Sequence, residues 1–314
     1  MATFLTSNAV GEREDLSDVI YRIDPDETPL FTNAQKETTK AITTEWQVQE
    51  LASAVDTNHV NEGADFSYSN PTATVRLTNV HQIAVQAASV SNTLDVVDKA
   101  GRDKETAYAK VVKGLEQRRD INKSLYKNEA KSSSDPRKAA KLITWITNGS
   151  KPSDMAFATG DGSDAADLTG TAAALTLAKI DAAMLAAYSD GGSPSMLLMS
   201  PTNKQNFSGL SSGSVATNQI TYTAPRETAI VGSVSLFLTD FGELSVTVDR
   251  TCPNSEMYLI DTDYVCIGSL PGRMFSVSDV APVGDATRFA IVSEYTLIVK
   301  APKSHAAVIG LNGS

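Results

Sequence analysis

Two stretches near the start of the chain have the alternating pattern of β-strands. In residues 42–52, Ile42, Trp46 and Val48 fall on one face and polar side chains fall on the other. Residues 72–90 form a second extended stretch, and the segment between the two is polar and rich in turn residues. Together they predict a long two-stranded arm. Because an isolated hairpin is only marginally stable in water, its apolar side chains need a surface, on the same chain or on a neighbouring copy.

Residues 102–131 contain no proline and predict a single helix. A helix of that length would span roughly 45 Å, far more than the average globular helix of about 11–12 residues. Its apolar and small positions form a narrow stripe, which favours a strut packed against a sheet. The stripe consists of Ala107, Val111, Gly114, Ile121 and Leu125. Glycine costs about 1 kcal/mol relative to alanine inside a helix, so Gly114 suggests a bend or a close backbone contact.

The second half of the chain predicts alternating helices and strands. Residues 176–190 have the apolar spacing of an amphipathic helix, carried by Leu177, Ile180, Met184, Leu185 and Tyr188. A short buried strand, Met196–Met199, follows, and Ser200–Pro201 predicts the start of another helix with serine as its N-cap. From Ser233 onward, alternating segments separated by turns predict a run of strands. The fold class is therefore α+β.

Three further segments lack a long periodic pattern. Residues 1–40 are polar and interrupted by prolines, and they predict an arm with one short helix around Asp15–Ile23. Residues 136–147 are apolar. Residues 148–174 are small and polar with four glycines, which predicts an exposed excursion that contributes little to the core.

Charge is distributed unevenly along the chain. The net charge is −10, but residues 99–141 carry +7, and residues 41–75 carry five acidic side chains and no lysine or arginine. One interpretation is two solvated faces of opposite sign. The sharper one is that the acidic segment of one copy meets the basic segment of another. The overall negative charge argues against a dedicated nucleic-acid-binding protein.

Candidate catalytic and metal-binding patterns are weak. Residues 209–213 match the G-x-S-x-G pattern around Ser211, but they follow a predicted helix rather than a strand, which favours a flexible loop. Asp161, Asp164 and Asp167 suggest calcium, although their spacing is not that of an EF-hand. Two cysteines and three distant histidines supply no zinc pattern. No apolar stretch is long enough for a transmembrane helix, and the N-terminus has no secretory signal pattern.

Several stretches, in order along the chain, are similar to major capsid proteins of tailed bacteriophages with the Hong Kong 97 fold, in particular those of small-tailed podophages and related prophages. The stretches are GEREDLSDVIYRIDPDETPLF, TTEWQVQELA, VNEGADF, GRDKETAYAKVVKGLEQRRDI, PTNKQNFSG, LTDFGELSVTVDR and GDATRFAIVSEYTLIVKAPKSHAAVIG. They cover most of the chain.

The resemblance implies a division of the chain into named parts. These are an N-arm (1–40), an extended loop (41–92), a peripheral domain with a long spine helix (93–147 and 271–304), a surface loop (148–174) and an axial domain (175–270 and 305–314). It also places the extended loop of one subunit over the peripheral domain of its neighbour. Combined with the charges, this predicts inter-subunit contacts at Trp46, Glu50, Glu62, Asp65, Phe66, Arg118, Arg119 and Lys123.

The function implied by the resemblance is structural. Many copies would form pentamers and hexamers that close into an icosahedral shell around double-stranded DNA, which is enclosed without specific binding. Scaffold, portal and decoration proteins are the expected partners, and no cofactor, metal, membrane or catalysis is expected. Many relatives begin with a scaffolding segment that is later removed, so a separate scaffold or earlier processing is expected here. Two alternatives stay open: a cellular nanocompartment shell with the same fold, and a serine hydrolase that uses Ser211.

Overall fold

The computed structural model describes residues 27–65, 68, 70–99, 101–213 and 235–313, with only the backbone for residues 211–213. The helix predicted around Asp15–Ile23 lies outside these residues. Within them, five α-helices follow one another along the chain: α1 (Pro29–Asn33), α2 (Asn92–Val96), α3 (Glu105–Leu125), α4 (Leu177–Ser189) and α5 (Pro201–Gly213).

The strands of the described residues form three sheets. The first contains β1 (Gln35–Thr38), β4 (Gln82–Ser91), β10 (Val265–Ser269), β11 (Ser276–Val280) and β12 (Ala286–Val299). The second has the order β5 (Asn148–Ser150), β13 (Ala306–Ile309), β9 (Glu256–Ile260), β6 (Met196–Met199), β8 (Gly242–Val248) and β7 (Leu236–Thr239). The third is the hairpin of β2 (Thr43–Val48) and β3 (Val75–Val80). The predicted α+β class is confirmed.

The long helix α3 packs on the first sheet but is shorter than predicted. It has 21 residues, or about 31 Å, because the chain turns after Tyr126, whose N–H bonds back to the carbonyl of Lys123. Val111, predicted to lie in the apolar stripe, is 62% exposed. At Gly114 an added Cβ would lie 3.9 Å from Ile291, an ordinary contact distance, so the close backbone contact expected at this glycine is not present.

The two-stranded arm is also shorter than the pattern predicted. β2 pairs with β3 in antiparallel register, with Trp46 opposite Leu77. The continuation of that stretch, β4, belongs instead to the first sheet, where it pairs with β12 over ten residues. The change of sheet occurs at His81, which is fully buried and whose Nε2 hydrogen-bonds to the hydroxyls of Thr39 and Thr44.

The described end of the predicted N-terminal arm is part of the body of the subunit. Leu30 and Phe31 of α1 are buried, and β1 pairs in parallel with β10 of the first sheet. β10, which lies in the segment predicted to be axial, also pairs with β12, so it belongs to the same sheet as that strand. The segment 27–38 thus contributes directly to the core, although it is too short to form one alone.

Helices α4 and α5 flank the second sheet near their predicted positions. Ile180 and Met184 are buried as expected, but Leu185 and Tyr188 are about half exposed, and the small residues Ala183 and Ala187 take the inward positions. The side-chain oxygen of Ser200 accepts from the backbone N–H of Asn203, as predicted for an N-cap.

The segment 148–174 is more buried than predicted. Met155 and Ala166 belong to the main hydrophobic core, and Ala156 and Asp167 form an antiparallel bridge. At Gly162, where φ is +73°, an added Cβ would lie 2.8 Å from the ring of Trp145. The segment packs on the body because glycines allow its backbone to approach a buried tryptophan, so an insertion near Gly162 would disturb the core.

Candidate assembly surfaces

Beyond its paired strands, the hairpin continues as an exposed excursion over residues 49–65, 68 and 70–74, which we call the projecting loop. Large apolar side chains lie open on it: Leu51 is 96% exposed, Tyr68 is 92% exposed, and Val55 and Val60 are each 66% exposed. A turn near its middle is closed by a hydrogen bond from the N–H of Ala64 to the carbonyl of Asn61. The strands of the hairpin therefore leave these apolar side chains uncovered within the subunit.

Two of the predicted contact residues at the base of the hairpin contact their own chain. The ring of Trp46 lies 5.2 Å from that of Trp145, which is completely buried in the core. The carboxylate of Glu50 accepts from the ammonium of Lys303 at 2.7 Å. The surface that covers Trp46 is therefore on the same subunit, one of the two possibilities that the sequence left open.

The acidic residues farther out on the projecting loop have no partner in the described part of the subunit. Glu62 and Asp65 are exposed, and neither forms an ion pair with any described residue. Phe66, the remaining predicted contact on the loop, lies outside the described residues.

On α3 the predicted basic residues differ in their surroundings. The guanidinium of Arg118 donates to the hydroxyl of Thr32 at 2.8 Å and lies 5.7 Å from the ring of Phe31, so it holds α1 against α3. Arg119 is half-buried and Lys123 is exposed, and neither has an ion-pair partner among the described residues. Within one subunit the acidic loop and the basic helix are thus not brought together.

Lys123 borders a shallow groove at the C-terminal end of α3. The groove has a volume of about 380 Å³ and is lined by Asp120, Lys123, Ser124, Tyr126, Lys127, Thr251 and Pro253. Lys127, four residues after Lys123, places a second cation at its edge. Lys127 was not among the predicted contact residues, although its spacing of four from Lys123 placed the two lysines on one face of the predicted helix.

A buried polar cluster connects three parts of the subunit behind this groove. The side-chain oxygen of Asn122 accepts from the N–H of Phe31 at 2.9 Å, and its amide donates to the carboxylate of Asp249 at 2.7 Å. The hydroxyl of Tyr126 donates to the same carboxylate at 2.8 Å. Burial, together with the nearby Cys252 and Asp249, raises the pKa of Tyr126 well above its usual value, so this hydroxyl stays a donor. The cluster joins α1, α3 and the end of β8.

The patterns that suggested other chemistry have structural roles. Residues 209–213 form the end of α5, so Ser211 does not occupy the strand-to-helix turn of a hydrolase nucleophile. The carboxylate of Asp161 accepts from the N–H of Ser163, and that of Asp167 accepts from the hydroxyl of Thr169, as in tight turns. In the described ranges no group of three or more His, Cys, Asp or Glu side chains could hold a metal ion. No described helix is long and apolar enough to span a membrane.

Solved shell proteins have the same fold as this chain. The capsid asymmetric unit of cyanophage A-1(L) matches with a TM-score of 0.66 at 14% identity, covering 98% of each chain. The SrpI encapsulin of Synechococcus elongatus PCC 7942 matches with a TM-score of 0.59 at 8% identity, covering 97% of this chain and 94% of the encapsulin. At these identities the likeness defines the fold, that of Hong Kong 97-like shell proteins.

The chain belongs to the SU10 major capsid protein family, whose family model matches residues 2–312. A curated relative, the major capsid protein of Escherichia phage Phieco32, is 29% identical over 129 residues. That match covers 41% of this chain and 37% of the relative's length. The resemblance to phage major capsid proteins predicted from the sequence is confirmed. The likeness to an encapsulin concerns the fold alone.

Proposed function

We propose that copies of this chain assemble through hexamers and pentamers into an icosahedral shell that encloses phage double-stranded DNA. The observation that carries the proposal is the projecting loop, which presents Leu51, Val55, Val60 and Tyr68 to solvent. Such an excursion cannot bury this surface within its own hairpin. A neighbouring copy would supply the missing surface, and repetition of that contact would build the shell.

The proposed inter-subunit contact pairs the acidic loop with the basic helix. Glu62 and Asp65 on one subunit would approach Arg119 and Lys123 on the next, since all four side chains lack an ion-pair partner among the described residues of their own chain. Arg118 and Glu50 are less suited because each already binds within the subunit. Phe66, which directly follows Asp65 in the sequence, would join the contact.

The two larger sheets would belong to different regions of the assembled shell. The first sheet with α3 would form the peripheral region, and the second sheet with α4 and α5 would form the axial region around the five- and sixfold axes.

A scaffold, a portal and decoration proteins are the proposed partners, with assembly in the host cytoplasm and the final location in the virion. The acidic balance of the chain, −10 overall, would let DNA be packaged and released without tight binding.

The test is assembly of the purified chain, alone and with candidate scaffold proteins from the same phage. Sedimentation and negative-stain imaging should reveal capsomers, tubes or closed shells. Particles isolated from infected cells should contain DNA that resists nuclease until the shell is disrupted. Particles that contain protein cargo and no DNA would replace the proposal by the nanocompartment alternative. A monomer that persists at high concentration, with and without scaffold, would contradict both.

A further inference from the structure

Lys131 lies where the hairpin, the chain after α3 and the segment 148–174 meet. Its ammonium donates to the carbonyl of Thr78 at 3.0 Å, to the hydroxyl of Thr78 at 3.1 Å and to the carbonyl of Asp161 at 2.8 Å. Three acceptors match the three N–H groups of an ammonium. Its backbone N–H also donates to the carbonyl of Gly162 at 2.9 Å. One side chain therefore joins β3 of the hairpin to the backbone around residue 161.

The acceptor at Asp161 is itself held in place. Gly162 packs so closely that an added Cβ would lie 2.8 Å from both Trp145 and Ala140. The carboxylate of Asp161 accepts from the N–H of Ser163 at 2.8 Å, which fixes the turn. The ammonium of Lys131 also lies 6.0 Å from the ring of the buried Trp145. Thr78 is thus tied through Lys131 to a rigid part of the body.

A second attachment acts on the next residue of the same strand. The amide of Asn79 donates to the carbonyls of Leu297 at 2.6 Å and Ala140 at 3.2 Å, and its oxygen accepts from the N–H of Ala140 at 2.9 Å. Successive side chains of a strand point to opposite faces. The side chains of Asn79 and Thr78 therefore leave β3 on opposite faces, and both residues are hydrogen-bonded to the body, so the two attachments together restrain the direction of the strand.

Farther out, the hairpin is held by apolar contacts, since Leu77 is buried in the main core and Trp46, opposite it, lies 5.2 Å from Trp145. These contacts lack the direction of a hydrogen bond. Glu50 and Lys303 form an ion pair, but their side chains are 60% and 48% exposed, and exposed pairs contribute little. Among the described residues, Thr78 is therefore the outermost residue of β3 that is hydrogen-bonded to the body outside the hairpin.

We propose that Lys131 is a positioning residue that fixes the direction in which the projecting loop leaves the subunit. Without its ammonium, β3 would keep the attachment at Asn79 and the apolar contacts of Leu77, and it would lose the hydrogen bonds at Thr78 that restrain its direction. The consequence for shell geometry rests on the proposed function, whereas the restraint on the loop is a property of one chain and is measured there.

The experiment compares Lys131→Met with Lys138→Met, a matched control that removes an exposed lysine of the same segment bound only to Glu129 among the described residues. Spin labels at Thr57→Cys on the loop and Ala182→Cys on α4 report the direction of the loop, and both native cysteines are buried. In preparations diluted with unlabelled chain, Lys131→Met should make the distance distribution about twofold wider, because the restraint at Thr78 is lost. Lys138→Met should match the wild type.

Hydrogen exchange gives a second readout. In Lys131→Met the amides of β3 should exchange about tenfold faster, since hydrogen bonds from charged donors are the stronger ones. The amides of β6 and β9 in the second sheet should be unchanged. An unaltered distance distribution with unaltered β3 exchange in Lys131→Met would overturn the proposal, whether or not shells form.

If Lys131→Met does not fold, Thr78→Val decides the question. This variant removes one acceptor of the ammonium and keeps the carbonyl, so the distance distribution should widen by a smaller amount. A Thr78→Val distribution identical to the wild type would then overturn the proposal. Failure of the wild-type chain to assemble would count against the proposed function and leave the measured restraint as it stands.

Discussion

The projecting loop and the second sheet place the same kinds of side chain in opposite surroundings. Leu197, Leu259 and Val308 in the second sheet are completely buried, whereas Leu51 on the loop is 96% exposed and Val55 is 66% exposed. The sheet buries its apolar surface within one chain. The loop leaves it available to another. The difference teaches that the apolar side chains of the loop add little to the stability of the subunit, and in the proposed function they are the ones that a neighbouring copy covers.

The base of the hairpin is intermediate between these two regions. Trp46 is half-buried against Trp145, and its neighbours along β2 alternate between exposed and half-buried. The exposure of the apolar side chains thus increases from the second sheet, where they are completely buried, through the base of the hairpin, where they are half-buried, to the loop, where they are exposed. Substitutions along this gradient should change from effects on folding to effects on assembly.

The largest effect on folding is expected in the second sheet. Leu259→Ala should lower the free energy of unfolding by about 2–5 kcal/mol, because it removes buried methyl groups and leaves a cavity. Leu51→Ala, the same substitution on the projecting loop, should change it by no more than about 0.5 kcal/mol. Denaturant unfolding of the unassembled subunit measures both. Similar losses of unfolding free energy in the two variants would show that the loop and the second sheet do not differ in their contribution to stability.

An intermediate effect is expected at the base of the hairpin. Trp46→Ala should lower the free energy of unfolding by about 2 kcal/mol, less than a fully buried tryptophan, since it loses half-buried area and a ring contact with Trp145. Val75→Ala is the matched control, because Val75 lies opposite Val48 in the same hairpin and is 61% exposed. Denaturant unfolding followed by hydrogen exchange of β2 and β3 separates loss of the hairpin from loss of the whole subunit. A Trp46→Ala variant as stable as Val75→Ala would show that the hairpin is not anchored at this ring.

Local patterns predicted those elements whose stabilising contacts are close in sequence. The spacing of Ile180 and Met184 located α4, and the serine and proline at residues 200 and 201 located the start of α5, because capping acts over three residues. The end of α3 was predicted too late. Residues 127–131 have no local signal against helix, and the contacts of Lys131 with Thr78 and Asp161 are tertiary.

The alternation of apolar and polar residues could not predict which distant strands pair with each other. β4 continues the alternation of β3, yet its partner β12 lies roughly two hundred residues farther along the chain, and alternation alone does not identify a partner. The candidate contacts had the same limit. Charge predicted inter-subunit contacts for Glu50 and Arg118, and within the subunit these two side chains contact Lys303 and Thr32. Charge patterns alone cannot distinguish a partner in the same chain from one in a neighbouring copy.

In the second-sheet region, a buried histidine should make the free energy of unfolding depend on pH, and the effect should be of moderate size. His305, in the second-sheet region, is completely buried, and its Nδ1 accepts from the N–H of Asp261. Burial lowers the pKa of His305 from 6.5 to about 3. Between these values the unfolded chain binds a proton that the folded chain does not, so the free energy of unfolding falls as the pH decreases, by about 2 kcal/mol from pH 7 to pH 5.

His305→Asn isolates this contribution, since asparagine keeps a side-chain acceptor and cannot be protonated in this range. The variant should have a flatter dependence of unfolding free energy on pH between 7 and 5 than the wild type. Other groups, such as the buried Glu256, are present in both proteins and cancel in the comparison. Parallel pH curves would show that His305 is accessible to protons in the folded subunit.

The smallest change in free energy per contact is expected for the charged residues of the loop. This change should affect assembly and leave the unfolding of the subunit unaltered. Each exposed pair between Glu62 or Asp65 and Arg119 or Lys123 should contribute roughly 0.2–1 kcal/mol, but the contact would repeat at every subunit of a shell and so set the rate and geometry of assembly.

Glu62→Lys with Asp65→Lys should therefore slow assembly in light scattering without changing subunit unfolding, and Arg119→Glu with Lys123→Glu in the same chain should partly restore it. Glu243→Lys with Asp263→Lys, both on exposed positions of the body, controls for the change in net charge. Raising the salt concentration to 1 M should reduce the difference in assembly rate between the wild type and the loop variant, since the Debye length falls to about 3 Å. Normal assembly of the loop variant at low salt would mean that the basic end of α3 faces another partner. The enclosed DNA would then be the first candidate, because its phosphates would balance Arg119 and Lys123 equally well.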